Sequence, residues 1–261
     1  MSTEIKTEMR NGALIVTFNC PEQLNALTMN MANQLHHVLK PVAADRSIRA
    51  VMLRGAGGNF MHGLDLDIYA KDTAVGAEKN NELLLPYHSA IRELHAMEKP
   101  VLAVVQGRVT GPGMSFMLVS DLVLAGRSTR FNSMFTSYAM TPDGGTSFFL
   151  TRKLGSAKAA EIMMLSEEFD AETAQKLHLV NGVLDDEQLE AKAFEWIDRL
   201  ASGPTRAFGG VKRLVGKAFE QDLPAHLALE HTYWGASVRS FDFRAAMRAL
   251  FTKQPVKYTG A

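Results

Sequence analysis

Residues 99–126 read KPVLAVVQGRVTGPGMSFMLVSDLVLAG. Two apolar runs, Val101–Val105 and Leu122–Ala125, flank a glycine turn and a short apolar segment, Gly113–Val119. The first run has the length of a buried strand, and Lys99-Pro100 stops the helix before it. Strand, tight turn, short helix and strand form the unit from which a layered α/β domain is wound. Such a turn can aim backbone N–H groups at a ligand. The residue at its centre is Pro112, which has no N–H to give.

Upstream, Lys79–Met97 places Leu83, Leu84, Tyr87, Ile91, Leu94 and Met97 on one side of a helix. Ala50–Arg54 is a short strand ending in GAGG. Thr28–Ala44 is helical, with Thr28 as its cap. Glu4–Met9 and Ala13–Phe18 flank Asn11-Gly12, a strong hairpin signal. Downstream of Pro142 the character changes. Ser147–Lys153, Ser156–Leu165, Ala171–Lys176, Asp186–Ala201, Thr205–Phe219, Leu223–Ser237 and Phe241–Thr252 read as helices, and only Leu179–Leu184 reads as extended. The expected organisation is an α/β core over residues 1–200 and a helical region over 201–261.

With 261 residues, 46% of them hydrophobic, the chain can bury a sizeable core. Lys+Arg and Asp+Glu balance at 28 each, and no basic stripe suggests nucleic acid as a partner. The single cysteine, Cys20, cannot form an internal disulfide and fits a reducing, cytoplasmic setting. No apolar run approaches the roughly 18 residues of a membrane span, and the first residues lack the apolar core of a leader. The eight histidines show no metal-ligand spacing, so no metal is expected.

Short catalytic motifs are missing. GAGG has no Lys-Ser/Thr after it, so it is not a phosphate loop. Ser115 is not in a nucleophile elbow. His62 reads first as a solvated loop histidine, and His88 as a packed helix histidine. Asp143, before two glycines, reads first as a turn residue or helix cap. None of these alone identifies an enzyme.

Together the segments resemble the enoyl-CoA hydratase/isomerase (crotonase) superfamily. Five stretches carry the likeness in order: FNCPEQLNALT (18–28), RGAGGNFMHGLDLD (54–67), residues 99–131, TPDGGTSFFLTRKLG (141–155) and AQKLHLVNGVL (174–184). The last has His178 where the family usually has glycine. The resemblance implies a ClpP-like spiral of ββα units with C-terminal helices that form trimers, often paired into hexamers. It implies an acyl-CoA substrate, with coenzyme A entering as part of that substrate and no permanently bound cofactor. Two N–H groups would hold an enolate oxygen. The register assigns them to His62 and Pro112, with Gly113 as the substitute donor.

The hydratase glutamates fall on Ser115 and Phe135, so ordinary hydration is not expected. Asp143 matches the lone acid/base of isomerases of this superfamily and is the residue expected to carry proton transfer. Asp143 and His88, twelve residues before Pro100, also match the nucleophile and base of its 4-chlorobenzoyl-CoA dehalogenases. Phe135 stands where those enzymes have tryptophan. The same pair would suit a hydrolase acting on a β-diketone without coenzyme A. A third alternative is a weakly active homologue serving as a binding subunit. Met61, Ser115, Phe135 and Met140 are expected around the acyl group. Gln23, Leu24, Leu64, Asp65, Leu66 and Lys253 are expected around coenzyme A.

Overall fold

The computed structural model describes residues 2–69 and 72–261. A hairpin opens the chain. β1 (Ile5–Arg10) and β2 (Ala13–Phe18) pair antiparallel, and Asn11 and Gly12 between them both have positive φ, 49° and 84°. That mirror-image turn matches the twist of the strands it joins. β3 (Ala50–Gly55), β5 (Val101–Val105), β7 (Leu122–Gly126) and β10 (Gly182–Leu184) extend the sheet in parallel, giving the order β1-β2-β3-β5-β7-β10.

Helices separate these strands, as parallel pairing requires. They are α1 (Met29–Leu39), α2 (Thr73–Ala96), α3 (Pro112–Val119), α4 (Thr146–Leu154), α5 (Ser156–Leu165), α6 (Ala171–Lys176) and α7 (Asp186–Ser202). α8 (Thr205–Lys217), α9 (Leu223–Val238) and α10 (Phe241–Thr252) complete the chain. Three elements differ from the sequence reading by more than two residues at one end. α1 stops at Leu39, because Pro41 cannot continue it. α2 starts six residues early, at Thr73, where Asp72 Oδ1 accepts from the Ala74 and Val75 N–H groups. Its first turns are mostly exposed, so apolar periodicity does not mark them. The extended stretch 179–184 shortens to Gly182–Leu184.

Alternation along the strands sorts the core into two layers. Leu14, Val16, Phe18, Val51, Leu53, Val101 and Ala103 share a cluster with residues of α1, α2 and α3. Ala13, Ile15, Ala50, Met52, Leu102 and Leu124 pack with Leu189, Ala193, Ile197 and Ala201 of α7. A second, small sheet of β4 (Met61–His62), β6 (Arg108–Thr110), β8 (Arg130–Asn132) and β9 (Phe169–Asp170) stands beside it. Cys20 is buried and unpaired, and burial pushes its thiol up to about 11, so it stays protonated.

One buried ion pair ties α8 to this core. Lys212 Nζ, on a side chain only 8% exposed, donates to Leu94 O at 2.6 Å and to Asp121 Oδ2 at 2.9 Å. Asp121 also accepts from the Val101 N–H at 2.8 Å. Burial pushes the lysine down and the aspartate up, and the pairing opposes both. Lys212→Met keeps the bulk but strands a carboxylate. Breaking a buried pair this way costs about 3–5 kcal/mol, and the urea midpoint is expected to fall accordingly.

Candidate active site

The site is built where β4 and β6 end side by side. Their parallel register pairs Met61 with Val109 and His62 with Thr110. Gly63 and Gly111 follow, with φ of 74° and 49°, a backbone that favours glycine. Most amides here are spoken for. The N–H of Gly63 donates to Thr110 O, that of Gly111 to Asn132 O and that of Asp65 to Leu27 O. The Leu64 N–H has no acceptor among the described residues. Past Gly111, the N–H groups of Met114 and Ser115 donate to Gly111 O, and Gly113 N–H has no acceptor among the described residues.

This corrects the assignment of His62 as an oxyanion donor. Its N–H donates to Leu24 O at 3.0 Å and cannot serve a ligand as well. The free amide lies two residues on. The His62 ring places Nδ1 3.2 Å from Thr110 Oγ1, and burial, aided by Arg108, lowers its pKa, so it is neutral near pH 7.

A cavity of about 700 Å³ opens at these strand ends. Gln23, His62, Leu64, Asp65, Leu66 and Pro112 line one side of it. Phe135, Met140 and Asp143 line the other, with Leu83, Leu84 and Tyr87 of α2 between. Six expected residues are not on its wall: His88, which meets Asp143 from beside it, and five others. Met61 points into the core, where its carbonyl lies 2.4 Å from a Cβ built on Gly113. Gly113 is sealed by the same contact. Ser115 is fully buried behind the Asp143 turn. Leu24 turns its carbonyl to His62. Lys253 is exposed at the end of α10, outside this chain's cavity.

His88 and Asp143, 55 residues apart in sequence, meet here. His88 Nε2 lies 2.6 Å from Asp143 Oδ1, and both side chains are partly exposed, at 41% and 31%. α2 presents Leu83, Leu84 and Tyr87 to the cavity and His88 beside them. Asp143 rides on a turn whose Gly144 and Gly145 have φ of 58° and 81°. A Cβ on Gly144 would lie 1.7 Å from Tyr87 Oη, so only glycine fits. Three contacts fix the main chain of Asp143 and its turn. Thr146 N–H donates to Asp143 O at 3.0 Å, Ser115 Oγ donates to the same oxygen at 3.1 Å, and Ser115 Oγ and Thr146 Oγ1 share a hydrogen bond of 2.8 Å. The side chain of Asp143 does not cap α4; Gly145 is the cap residue. Its carboxylate is free for His88 and for whatever enters the cavity.

The wall opposite α2 is a loop with two strained ends. Met134 and Ala139 have φ of 59° and 56°. Side chains from this segment grip the end of α5: Asn132 Nδ2 donates to Ser166 O at 2.7 Å and Thr136 Oγ1 to Met163 O at 2.9 Å. A wider cleft of about 900 Å³ between β1 and α7 is lined by Lys6, Glu8, Arg54 and Glu190, with Arg54 and Glu190 paired. It contains no histidine–carboxylate pair. Among the described residues, no group of three or more metal-ligating side chains comes together, and no helix is long and apolar enough to cross a membrane.

A carboxylate held by an imidazole, facing a cavity with an unpaired backbone donor, can move a proton next to a carbonyl and stabilise the oxygen that gains charge. Comparisons with known proteins give the family. A family model described as enoyl-CoA hydratase/isomerase matches residues 8–261. The 1,2-epoxyphenylacetyl-CoA isomerase of Escherichia coli (strain K12) is 32% identical over 257 residues, covering 98% of each chain. The 4-chlorobenzoyl coenzyme A dehalogenase-2 of an Arthrobacter species is 27% identical and covers 84% of this chain and 80% of its own. The crystal structure of an enoyl-CoA hydratase from Polaromonas sp. JS666 superposes with a TM-score of 0.91 at 27% identity, over 97% of this chain and 99% of that one. Sequence, cavity and fold thus lead to one assignment: the chain belongs to the enoyl-CoA hydratase/isomerase family.

Proposed function

We propose that this protein acts on an acyl-CoA thioester as an isomerase, with Asp143 as the single acid/base. The observation that carries the reading is the 2.6 Å contact of His88 Nε2 with Asp143 Oδ1 on a cavity that also exposes an unpaired Leu64 N–H. The thioester oxygen accepts from Leu64 N–H. Asp143 removes a proton from the carbon beside the carbonyl, and the C–H electrons pass into the enolate. The same carboxyl group returns the proton two carbons further on. The double bond moves and nothing else is consumed. His88 holds the carboxylate in the resting site. Ser115 and Phe135 supply no carboxylate, so hydration is not part of this reading.

The test follows deuterium from solvent into a 3-enoyl-CoA substrate, alongside calorimetric titration with coenzyme A. Exchange at the carbon beside the carbonyl and micromolar affinity support the reading. Binding without exchange favours a weakly active binding homologue. A second reading, hydrolysis of a β-diketone or similar carbon–carbon bond, draws on the same His88–Asp143 contact, which would equally serve to activate water. Turnover of a diketone with no affinity for coenzyme A would favour it.

The C-terminal helices bear on assembly. Val215, Phe219, Trp234, Phe241 and Phe251 on α8–α10 and their connection are exposed, Phe251 at 82%. Exposed apolar surface on this scale marks an interface, and the resemblance points to a homotrimer, or a hexamer of two trimers. Sedimentation of the wild type is expected to give three or six copies, and Trp234→Asp is expected to yield smaller species. A wild-type monomer would overturn this expectation.

A further inference from the structure

Tyr87 is only 1% exposed, and its hydroxyl has no hydrogen-bond partner among the described residues. Leaving a buried hydroxyl unpaired carries its full desolvation penalty. A native structure tolerates that where the group has another use. The rest of the side chain is well seated, with its ring 5.4 Å from Phe116 and 5.6 Å from His88, centre to centre. The orphan is therefore the oxygen alone.

Its place is specific. Oη sits under the Asp143–Gly145 turn, so close that a Cβ on Gly144 would lie 1.7 Å from it. Its polar neighbours are the Ser115 hydroxyl and the Asp143 carboxylate. Ser115 Oγ is already engaged, with Asp143 O and Thr146 Oγ1. Asp143 is engaged through Oδ1 alone, with His88.

We propose that Tyr87 is a positioning residue for Asp143: its hydroxyl becomes a donor to the carboxylate when bound substrate shifts the Asp143 side chain from its resting contact with His88. The turn's main chain is pinned, so the shift is a rotation of the Asp143 side chain alone, whose one side-chain partner is His88. The inference rests on Asp143 being the working carboxylate. It goes beyond that reading by assigning a second hydrogen bond to that carboxylate in its working position. Burial, and to a lesser extent the nearby carboxylate, raise the phenol's pKa against a lowering by the Ser115 hydroxyl, so Tyr87 holds its proton and can donate it to a carboxylate. The titratable groups facing Asp143 are His88 and Tyr87, both from α2. Ser115 of α3 and Thr146 of α4 face its main chain and carry no charge.

Tyr87→Phe removes one oxygen and nothing else. A satisfied structural hydroxyl would make this variant less stable. An orphaned one makes it as stable or more so, so the melting temperature is expected to hold or rise by a few degrees. Turnover is expected to fall about tenfold or more with KM unchanged, the mark of an interaction used after binding. A carboxylate that loses a donor is more basic. The acid limb of the kcat profile is therefore expected to move to higher pH in the variant. A lower melting temperature, or unchanged turnover with an unchanged profile, overturns the proposal.

Failure of the isomerase reading is separable. If the wild type turns over no thioester, the His88 ring signals are compared by NMR with coenzyme A thioester bound. Binding should release the Asp143 carboxylate from His88 in the wild type and leave it there in Tyr87→Phe, so ring signals that change on binding in the first protein alone support the contact with Asp143. Identical changes overturn it.

Discussion

Asp143→Asn is expected to lower kcat by about 10²–10⁴-fold, the usual contribution of a positioned acid/base, with little change in KM. The amide matches the carboxylate in shape but cannot take a proton. Its oxygen can still accept from His88 Nε2, now 2.6 Å from Asp143 Oδ1. The turn is held through the main chain, by Thr146 N–H and Ser115 Oγ on Asp143 O, and neither contact sees the substitution. The variant should therefore fold as the wild type does and match it in oligomeric state and in coenzyme A affinity when the two are measured side by side. Deuterium exchange into a 3-enoyl-CoA is the measurement. Retention of exchange within a few fold of wild type would remove Asp143 from its role.

Pro112→Gly is expected to act in the opposite direction. Pro112 is the first residue of α3 and ends its chain of amides one short at the cavity wall. Glycine there restores an N–H beside the free N–H of Leu64. One such donor is typically worth about 10²–10³ in rate, so the variant should exchange faster and bind an enolate-mimicking thioester more tightly. The change frees the unfolded chain and is expected to cost about 0.4–1 kcal/mol of stability. An unaltered rate would mean that the oxygen is held without a donor at this position.

The parts of this molecule that were legible in the sequence are those with a local signal. Asn11-Gly12 announced its hairpin, and the apolar strands of the large sheet announced themselves by length. The small sheet was not legible, because strands of two or three residues such as Met61–His62 have no period to read. The His88–Asp143 contact bridges 55 positions and surfaced only through the family likeness. The donor amides show where likeness ran short. The motif around His62 was found, but which amide is free depends on a hydrogen bond to Leu24 that no local pattern encodes. Helical spacing reads Tyr87 as core, and it is core. That its hydroxyl has no partner under the Gly144 turn is a relation between two segments that no local pattern encodes. His178, by contrast, departs from the family's glycine and yet keeps the left-handed backbone, with φ of 56°.

The grip of Asn132 and Thr136 on the last carbonyls of α5 reaches beyond stability. The loop carrying Phe135 and Met140 takes its shape from a helix whose end lies outside the cavity wall. A change of packing under α5 would move that loop without altering any residue that meets the acyl group. Descendants of this gene have a route to new substrates through positions that a comparison of cavity residues would score as identical.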